Sequence, residues 1–224
     1  MNINTNYQQY QNTNFKSLKH PVKRFKISTS TGNIRFNEVK FDKFYSNKTL
    51  KKIATFFLDN FAHQSAEPNW KYYRKTNPEF IPLAYKWQIE NFCQQFINLY
   101  QNQDATMLIG KNDKNQIVAG ILSAPFNLSP EMQNERMLYV DMLAVDKNYR
   151  KNHIATTLID KVIEKTKQLY DNIFLVSYNE SVPFYEKIDF KHLPEKGNKR
   201  FIKNLSEYRT DYPEYASFLI KKVN

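Results

Sequence analysis

The stretch that decides the fold runs from Tyr139 to Lys165 and reads YVDMLAVDKNYRKNHIATTLIDKVIEK. Its first seven residues are mostly apolar, which is typical of a buried strand, and the apolar spacing from Ile154 onward indicates an amphipathic helix. A short basic loop joins the two. The first N–H groups of a helix have no partner within it and lie at the positive end of its dipole. The stretch therefore predicts a phosphate site made of main-chain N–H groups beside Arg150 and Lys151.

The elements on both sides of this stretch complete an α/β pattern. Two β-prone runs flank the turn sequence KNDKNQ, which indicates an antiparallel hairpin. Two amphipathic helices precede the hairpin, with apolar stripes over residues 50–61 and 89–100. Strands and helices in this order predict an α/β sheet of mixed direction. The predicted strands cover residues 34–41, the two arms of 105–124, and residues 137–145, 173–178, 189–193 and 215–223.

Composition sets the domain count and the charge. The chain has 224 residues, 41% of them hydrophobic, which suits one domain with a buried core. Residues 1–30 begin with uncharged sequence poor in aliphatic residues, and we predict a disordered polar and basic tail there, followed by a single domain over 31–224. The net charge of +11 favours anionic partners such as nucleotide phosphates, nucleic acid or an acidic membrane surface, without choosing among them.

Cysteine and histidine usage bounds the site chemistry and the compartment. Cys93 is the only cysteine, so no disulfide framework is expected, and the histidines lack metal-ligand spacing, so no metal is expected. No run approaches the roughly 18 apolar residues of a membrane span, and no apolar signal segment opens the chain. We expect a soluble, cytoplasmic protein. Because Glu38 is the first acidic residue, an organelle presequence is the alternative.

The opening stretch resembles the acetyl-CoA-binding motif of the GNAT acetyltransferase superfamily. In that motif a strand ending in a form like Leu-Ala-Val leads into a loop of Arg or Gln, two residues, Gly, one residue, and Gly or Ala, and then into a helix. Leu143–Val145, Arg150 and Ala155 match this pattern. His153 replaces the usual glycine, so a Cβ and an imidazole must fit where the backbone passes the pyrophosphate.

This resemblance implies a fold, a cofactor and a set of roles. The fold would be a GNAT-like α+β arrangement, with a mixed, mostly antiparallel sheet of about six to seven strands flanked by helices. Strand amides around Met142 and Leu143 would hydrogen-bond the thioester oxygen of acetyl-CoA, and the loop from Arg150 to Thr156 would bind its pyrophosphate. The residues assigned to the cofactor are Met142, Leu143, Ala144, Val145, Arg150, Lys151, Asn152, His153, Ile154, Ala155, Thr156, Asn179 and Tyr185.

A second segment, YNESVPFYEKIDF at 178–190, resembles the part of the same family where an Asn precedes a helix ending in a form like FYEKxGF. The resemblance makes Tyr185 the residue that lies near the cofactor sulfur and protonates the departing thiolate. It places Asn179 on the pantetheine arm. Asp189 stands where the family has glycine. The alternative for Tyr185 is a packing aromatic in an amphipathic turn.

Two carboxylates are candidates for the general base that such a reaction needs. The sequence NFAHQSAEPNW resembles the insect-type arylalkylamine N-acetyltransferases, in which the glutamate of a Glu-Pro pair is the proposed base, and this match points to Glu67. Asp141 lies in an apolar run, where a charge needs a partner. The alternatives are a surface role for Glu67 and a salt bridge from Asp141 to a buried Arg or Lys.

Together these features predict an acetyl-CoA-dependent N-acetyltransferase acting on a primary amine. The aromatic residues in 70–75 and 80–87 would line the amine pocket and favour a small aryl or hydrophobic amine. A protein or peptide acceptor and a non-catalytic acyl-CoA-binding module are the alternatives. Nucleic acid is not expected, because the basic residues are scattered and no recognised reading motif is present. We expect a monomer or a homodimer.

Overall fold

A computed structural model describes residues 22–39, 47–61, 75–103, 105–126, 136–194 and 216–223. The helices are α1 (Asn47–Phe61), α2 (Phe80–Gln103), α3 (Ile154–Thr166) and α4 (Val182–Glu186). The strands are β1 (Phe25–Thr29), β2 (Gly32–Val39), β3 (Thr106–Lys111), β4 (Ile117–Phe126), β5 (Met137–Val145), β6 (Asn172–Tyr178), β7 (Lys191–His192) and β8 (Ala216–Lys222). No helix in these ranges combines the length and the hydropathy of a bilayer-spanning segment.

The strands form one sheet in the order β1-β2-β3-β4-β5-β6-β8-β7. Every neighbouring pair is antiparallel except β5 and β6, which run parallel across the connection that contains α3. The predicted mixed, mostly antiparallel sheet flanked by helices is therefore confirmed. The described residues hold eight strands, one more than the upper end of the predicted range.

The additional strand, β1, lies inside the range predicted to be a disordered tail. Phe25 of β1 pairs with Phe36 of β2, and their rings stack with centroids 4.7 Å apart. This contact and the partly buried Ile27 supply apolar burial within the predicted tail. The prediction of disorder is wrong for residues 25–29, whereas residues 1–21 lie outside the described residues.

Helices cover both faces of the sheet. The first face, called here the α3 face, buries Phe36 and Leu158 in a cluster that also holds Tyr185 at its margin. The second, called the α1 face, buries Phe57 and Phe96 of the paired helices α1 and α2. Side chains alternate between the faces along each strand, so the direction of one residue fixes that of its neighbours.

The two parallel strands separate before they end. Their pairing runs only from Met137 opposite Asn172 to Val140 opposite Leu175, after which β5 stays on β4 and β6 stays on β8. The separation starts at a β-bulge, where the β4–β5 register shifts and Asp141 becomes the extra residue. A wedge-shaped opening therefore lies between the carboxyl ends of β5 and β6.

A buried ion pair fixes α3 to the first half of the sheet. Lys165 Nζ lies 2.6 Å from Glu38 Oε1 on β2, and the two side chains are only 12% and 10% exposed. Lys165 also donates to Thr106 Oγ1 at 3.0 Å. Because a buried charge is costly without a partner, this pair constrains where the last turn of α3 can lie.

Candidate active site

The opening between β5 and β6 is lined by main-chain groups of β5. Asp146 N–H, just beyond the strand, donates to Val118 O of β4 at 2.9 Å. Successive peptide groups of a strand point to alternate sides. The N–H groups of Leu143 and Val145 therefore point away from β4 and into the opening, where they can donate to a bound ligand.

The same alternation corrects part of the predicted cofactor site. Met142 and Ala144 pair with Leu122 and Gly120 of β4, so their N–H groups point at that strand, and their side chains are buried on the α1 face. The Met142 amide is thus turned away from the opening. Of the two amides predicted to meet the thioester oxygen, only that of Leu143 has the required direction.

The loop after β5 is braced by its own hydrogen bonds. Asp146 Oδ1 accepts from Asn148 N at 2.8 Å and caps the short 3-10 turn at residues 147–149. Asn152 Nδ2 donates to the carbonyl oxygens of Tyr149 and Arg150, both at 3.1 Å. These contacts hold the loop in one conformation without using the N–H groups that open α3.

His153, the residue immediately before α3, has a backbone conformation that favours glycine. Its φ of 56° and ψ of 15° lie in the left-handed region, and its side chain makes no capping hydrogen bond. Its carbonyl oxygen accepts from Thr157 N–H at 3.0 Å. Within the described residues nothing accepts from the N–H groups of Ile154, Ala155 or Thr156, so these three donors can bind an anion.

Cations surround this cluster of donors. Lys147, Arg150 and Lys151 are all exposed around the loop. Arg150 Nε donates to Val145 O at 3.1 Å, which fixes the guanidinium beside the opening. Lys151 has a φ of 65°, a second positive value three residues before α3 begins. The loop therefore combines converging main-chain donors with positive charge, as an anion site requires.

Tyr185 lies on α4 within an aromatic cluster. Its ring makes edge contacts with the rings of Phe184 and Phe190, at interplanar angles of 66° and 71° and centroid distances of 5.0 and 5.6 Å. Burial raises the pKa of its phenol well above the usual value. No described residue hydrogen-bonds the hydroxyl, and the described residues contain no enclosed side-chain polar atom without a partner. The hydroxyl therefore reaches accessible surface and remains a protonated donor at neutral pH.

Asn179 follows β6 at the other side of the opening. Its Oδ1 accepts from Ser217 Oγ of β8 at 2.9 Å. This bond sets the orientation of the amide group and leaves the Nδ2 group, which no described residue engages, as a donor.

The two predicted bases differ in what the structure shows. Asp141, at the β-bulge, is partly buried, and its Oδ2 accepts from Gln95 Nε2 of α2 at 2.7 Å. Glu67 and the nearby His63 lie outside the described residues, as do residues 70–74 of the predicted aromatic pocket. The described residues hold no group of three or more His, Cys, Asp or Glu side chains placed to bind a metal ion.

Sequence reasoning did not find the side chains that support the site. Gln95 is 46 residues from Asp141, Ser217 is 38 residues from Asn179, and Asn112 donates to the Tyr149 hydroxyl across 37 residues. All three are uncharged and carry no motif. Only the pairing of distant strands and helices brings them to the site.

Comparisons with known proteins identify the family and the fold. Residues 81–206, more than half of the chain, match the model of the acetyltransferase (GNAT) domain family. A comparison with curated protein sequences found no match.

Solved structures of low sequence identity share the fold. A GNAT-family acetyltransferase from Staphylococcus aureus Mu50 has a TM-score of 0.52 at 20% identity, over 84% of this chain and 99% of that one. The PaiA N-acetyltransferase of Thermoplasma acidophilum, solved in complex with coenzyme A, has a TM-score of 0.51 at 15% identity, over 84% of this chain and 98% of that one. A Pyrococcus horikoshii protein reaches 0.53 at 13% identity, over 84% and 99%. The chain belongs to the GNAT acetyltransferase family and is an acetyl-CoA-dependent acyltransferase.

Proposed function

We propose that this acetyltransferase transfers the acetyl group to the primary amine of a small aryl or hydrophobic molecule. The observation that carries the acceptor class is an exposed apolar stripe on α2. Phe80, Leu83 and Trp87 are spaced at helical intervals and are 46%, 66% and 47% exposed. Large apolar side chains that share one exposed face mark binding surfaces.

The stripe lies on the helix pair that also contacts the proposed reaction centre. Tyr85 donates a hydrogen bond to Asp59, which ties the first part of α2 to the last turns of α1. Further along the same helix, Gln95 donates to Asp141 at the β-bulge. A single helix thus runs from the exposed apolar stripe to the edge of the opening, which suits an amine with an apolar body.

The chain's own groups fit the cofactor. The opening between β5 and β6 suits a narrow pantetheine arm, and the three donors at the start of α3 suit a diphosphate. Bound acetyl-CoA supplies an acetyl group activated as a thioester. In this proposal the N–H of Leu143 polarises the thioester oxygen, that of Val145 and the Nδ2 group of Asn179 hold the arm, and residues 150–156 hold the pyrophosphate.

Proton transfers complete the proposal. The amine nitrogen forms a bond to the acetyl carbon as the carbon–sulfur bond breaks, and the sulfur leaves with the electron pair. The pKa of Tyr185 lies above 10.0, so the phenol is protonated at neutral pH and can give its proton to that sulfur. Asp141 takes the proton from the amine, directly or through water. Glu67 is the alternative base, and the arylalkylamine resemblance that points to it remains a prediction.

The proposed acid is tested with Tyr185→Phe. We expect turnover to fall by about 100-fold, as is usual for loss of a general acid, while the increase in melting temperature with acetyl-CoA stays nearly the same. Phe184→Leu, a change in the neighbouring ring that removes no proton donor, is the matched control. Unchanged turnover in Tyr185→Phe would remove this residue as the acid.

The acceptor class is tested with a panel of amines in an assay of CoA release. We expect turnover with arylalkyl and alkyl amines and little with polar amines or peptide N-termini. Trp87→Ala should raise the KM for the best amine and leave the KM for acetyl-CoA unchanged, whereas Lys86→Ala, beside it but turned about 100° around the helix, should change neither. Turnover confined to peptide N-termini would favour the peptide acceptor and refute the small-amine proposal.

A further inference from the structure

A basic concave surface lies at the first edge of the sheet, on strands β1, β2 and β3. It has a volume of about 570 Å³. Four cationic side chains contribute to its lining, together with two amides and two aromatic residues. These lining residues are Arg24, Phe25, Lys26, Arg35, Phe36, Asn37, Lys111 and Asn115. We call this surface the basic pocket.

Three of the cations stand side by side across three strands. Lys26 of β1 is in register with Arg35 of β2, which is in register with Lys111 of β3. Residues in register point to the same face, and neighbouring strands lie about 4.8 Å apart, so the three side chains start within about 10 Å of one another. Within the described residues none of them is paired with a carboxylate. Asp113, on the adjoining turn, accepts from Asn33 N–H.

This arrangement has no structural explanation in the sheet itself. Like charges directly opposite each other on neighbouring strands are destabilising. Lysine on an edge strand can prevent unwanted pairing with another chain, and this would explain Lys26 on β1. It does not explain Arg35 and Lys111, because β2 and β3 are both paired on their two sides. A bound anion would relieve the repulsion of all three.

The basic pocket is separate from the proposed cofactor site. Arg35 and Val39 are four residues apart on β2, so their side chains point to the same face of the sheet. Val39 is buried in the cluster formed with α1 and α2. The N–H groups that open α3 belong to a helix packed on the opposite face, beside Phe36. The sheet therefore stands between the two sets of anion-binding groups.

Size and lining point to the class of ligand. A pocket of a few hundred Å³ suits a small molecule, and the amides of Asn37 and Asn115 add hydrogen-bonding groups to the cations. The rings of Phe25 and Phe36 stack on each other and pack into the core of the α3 face, so they form no platform on which nucleic-acid bases could stack. We propose that the basic pocket binds a compact anion carrying two or more phosphate groups.

The test is a calorimetric titration in which inorganic tripolyphosphate is added to the full chain already saturated with CoA. Saturation blocks the phosphate-binding groups of the cofactor site. We expect binding that weakens about tenfold in Arg35→Gln and in Lys111→Gln, since each loses a charge-assisted contact. Lys52→Gln, which removes an exposed charge from α1 outside the pocket, should bind as the unaltered protein does. A thermal melt should show both pocket variants folded, because neither loses a protein partner.

Three results would overturn this proposal. The first is that tripolyphosphate fails to bind the CoA-saturated protein, and the second is that it binds both pocket variants as tightly as the control. In the third case a single-stranded RNA oligonucleotide would bind and tripolyphosphate would not, which would assign the surface to an extended polyanion. Arg35→Gln should leave the KM for acetyl-CoA unchanged. The KM reports on the cofactor site and the titration reports on the basic pocket, so a failure of either assignment would be recognised separately.

Discussion

Replacing His153 tests whether its backbone conformation is the reason that glycine is usual at this position. A residue with a Cβ costs roughly 1–2 kcal/mol in the left-handed region, with histidine near the lower end because it adopts this conformation more readily than most. Glycine removes this cost but adds roughly 0.5–1 kcal/mol of chain entropy to the unfolded state. We therefore expect His153→Gly to change the free energy of unfolding by less than about 0.5 kcal/mol.

His153→Val provides the contrast. A β-branched side chain is poorly tolerated at positive φ, so we expect this variant to be about 1–2 kcal/mol less stable than His153→Gly. Both values come from denaturant unfolding. Ala155→Gly, in the first turn of the same helix, controls for a general effect of glycine and should cost about 1 kcal/mol.

The same variants report on the cofactor. Without a Cβ at residue 153, a phosphate can approach the free N–H groups of α3 more closely. An improvement equal to one ordinary hydrogen bond, about 1 kcal/mol, would tighten CoA binding by about fivefold in His153→Gly. Equal stability of the Gly and Val variants would contradict the positive φ. CoA binding that is weaker in the Gly variant would show instead that the imidazole itself contributes to affinity.

The remaining predictions concern stability. A Cβ at Gly110 would lie 2.3 Å from Cε1 of the buried Phe36 ring, so Gly110→Ala should lower the free energy of unfolding by about 1–3 kcal/mol, and adding Phe36→Leu should recover part of that loss in denaturant unfolding. Glu38→Ala leaves Lys165 buried without its partner and should cost about 3–5 kcal/mol, whereas replacing both residues by methionine should be nearly neutral in the same measurement. Burial raises the pKa of Tyr185 above its usual value of 10.0, so above about pH 10 the unfolded chain releases the proton first and stability falls with rising pH. The alkaline loss should be smaller in Tyr185→Phe, and an identical pH profile would contradict the raised pKa of this phenol.

The central part of the fold was predictable because its signals are local. The apolar run of β5, the basic loop and the periodicity of α3 follow one another within 27 residues, and the motif resemblance names the same segment. The helix begins at Ile154 as predicted and ends at Thr166. The glycine position of the motif also coincides with a positive φ at His153. Histidine is therefore accommodated in place of glycine at a cost in backbone strain.

What the sequence could not predict depends on contacts between distant segments. In MLYVDMLAV nearly every residue is apolar, so the change of face at the β-bulge leaves no mark in the pattern, and the sequence does not reveal that the Met142 N–H points to β4. The sequence does not indicate strand β1, because a five-residue edge strand next to a polar segment has no clear periodicity. The pairing of Phe25 with Phe36 becomes visible only in the folded sheet. The role of Gln95 follows only from the crossing of α2 over the sheet.

The position of β8 has a consequence for how the protein is made. This strand lies between β6 and β7, although more than 20 residues separate it from β7 along the chain. A ribosome that has released residues up to 194 has therefore produced a sheet in which β6 presents an open, apolar edge. Until residues 216–222 emerge to close it, the nascent chain is exposed to the edge-to-edge aggregation that such strands promote. Yield in cells should accordingly depend on chaperones that shield this edge during translation.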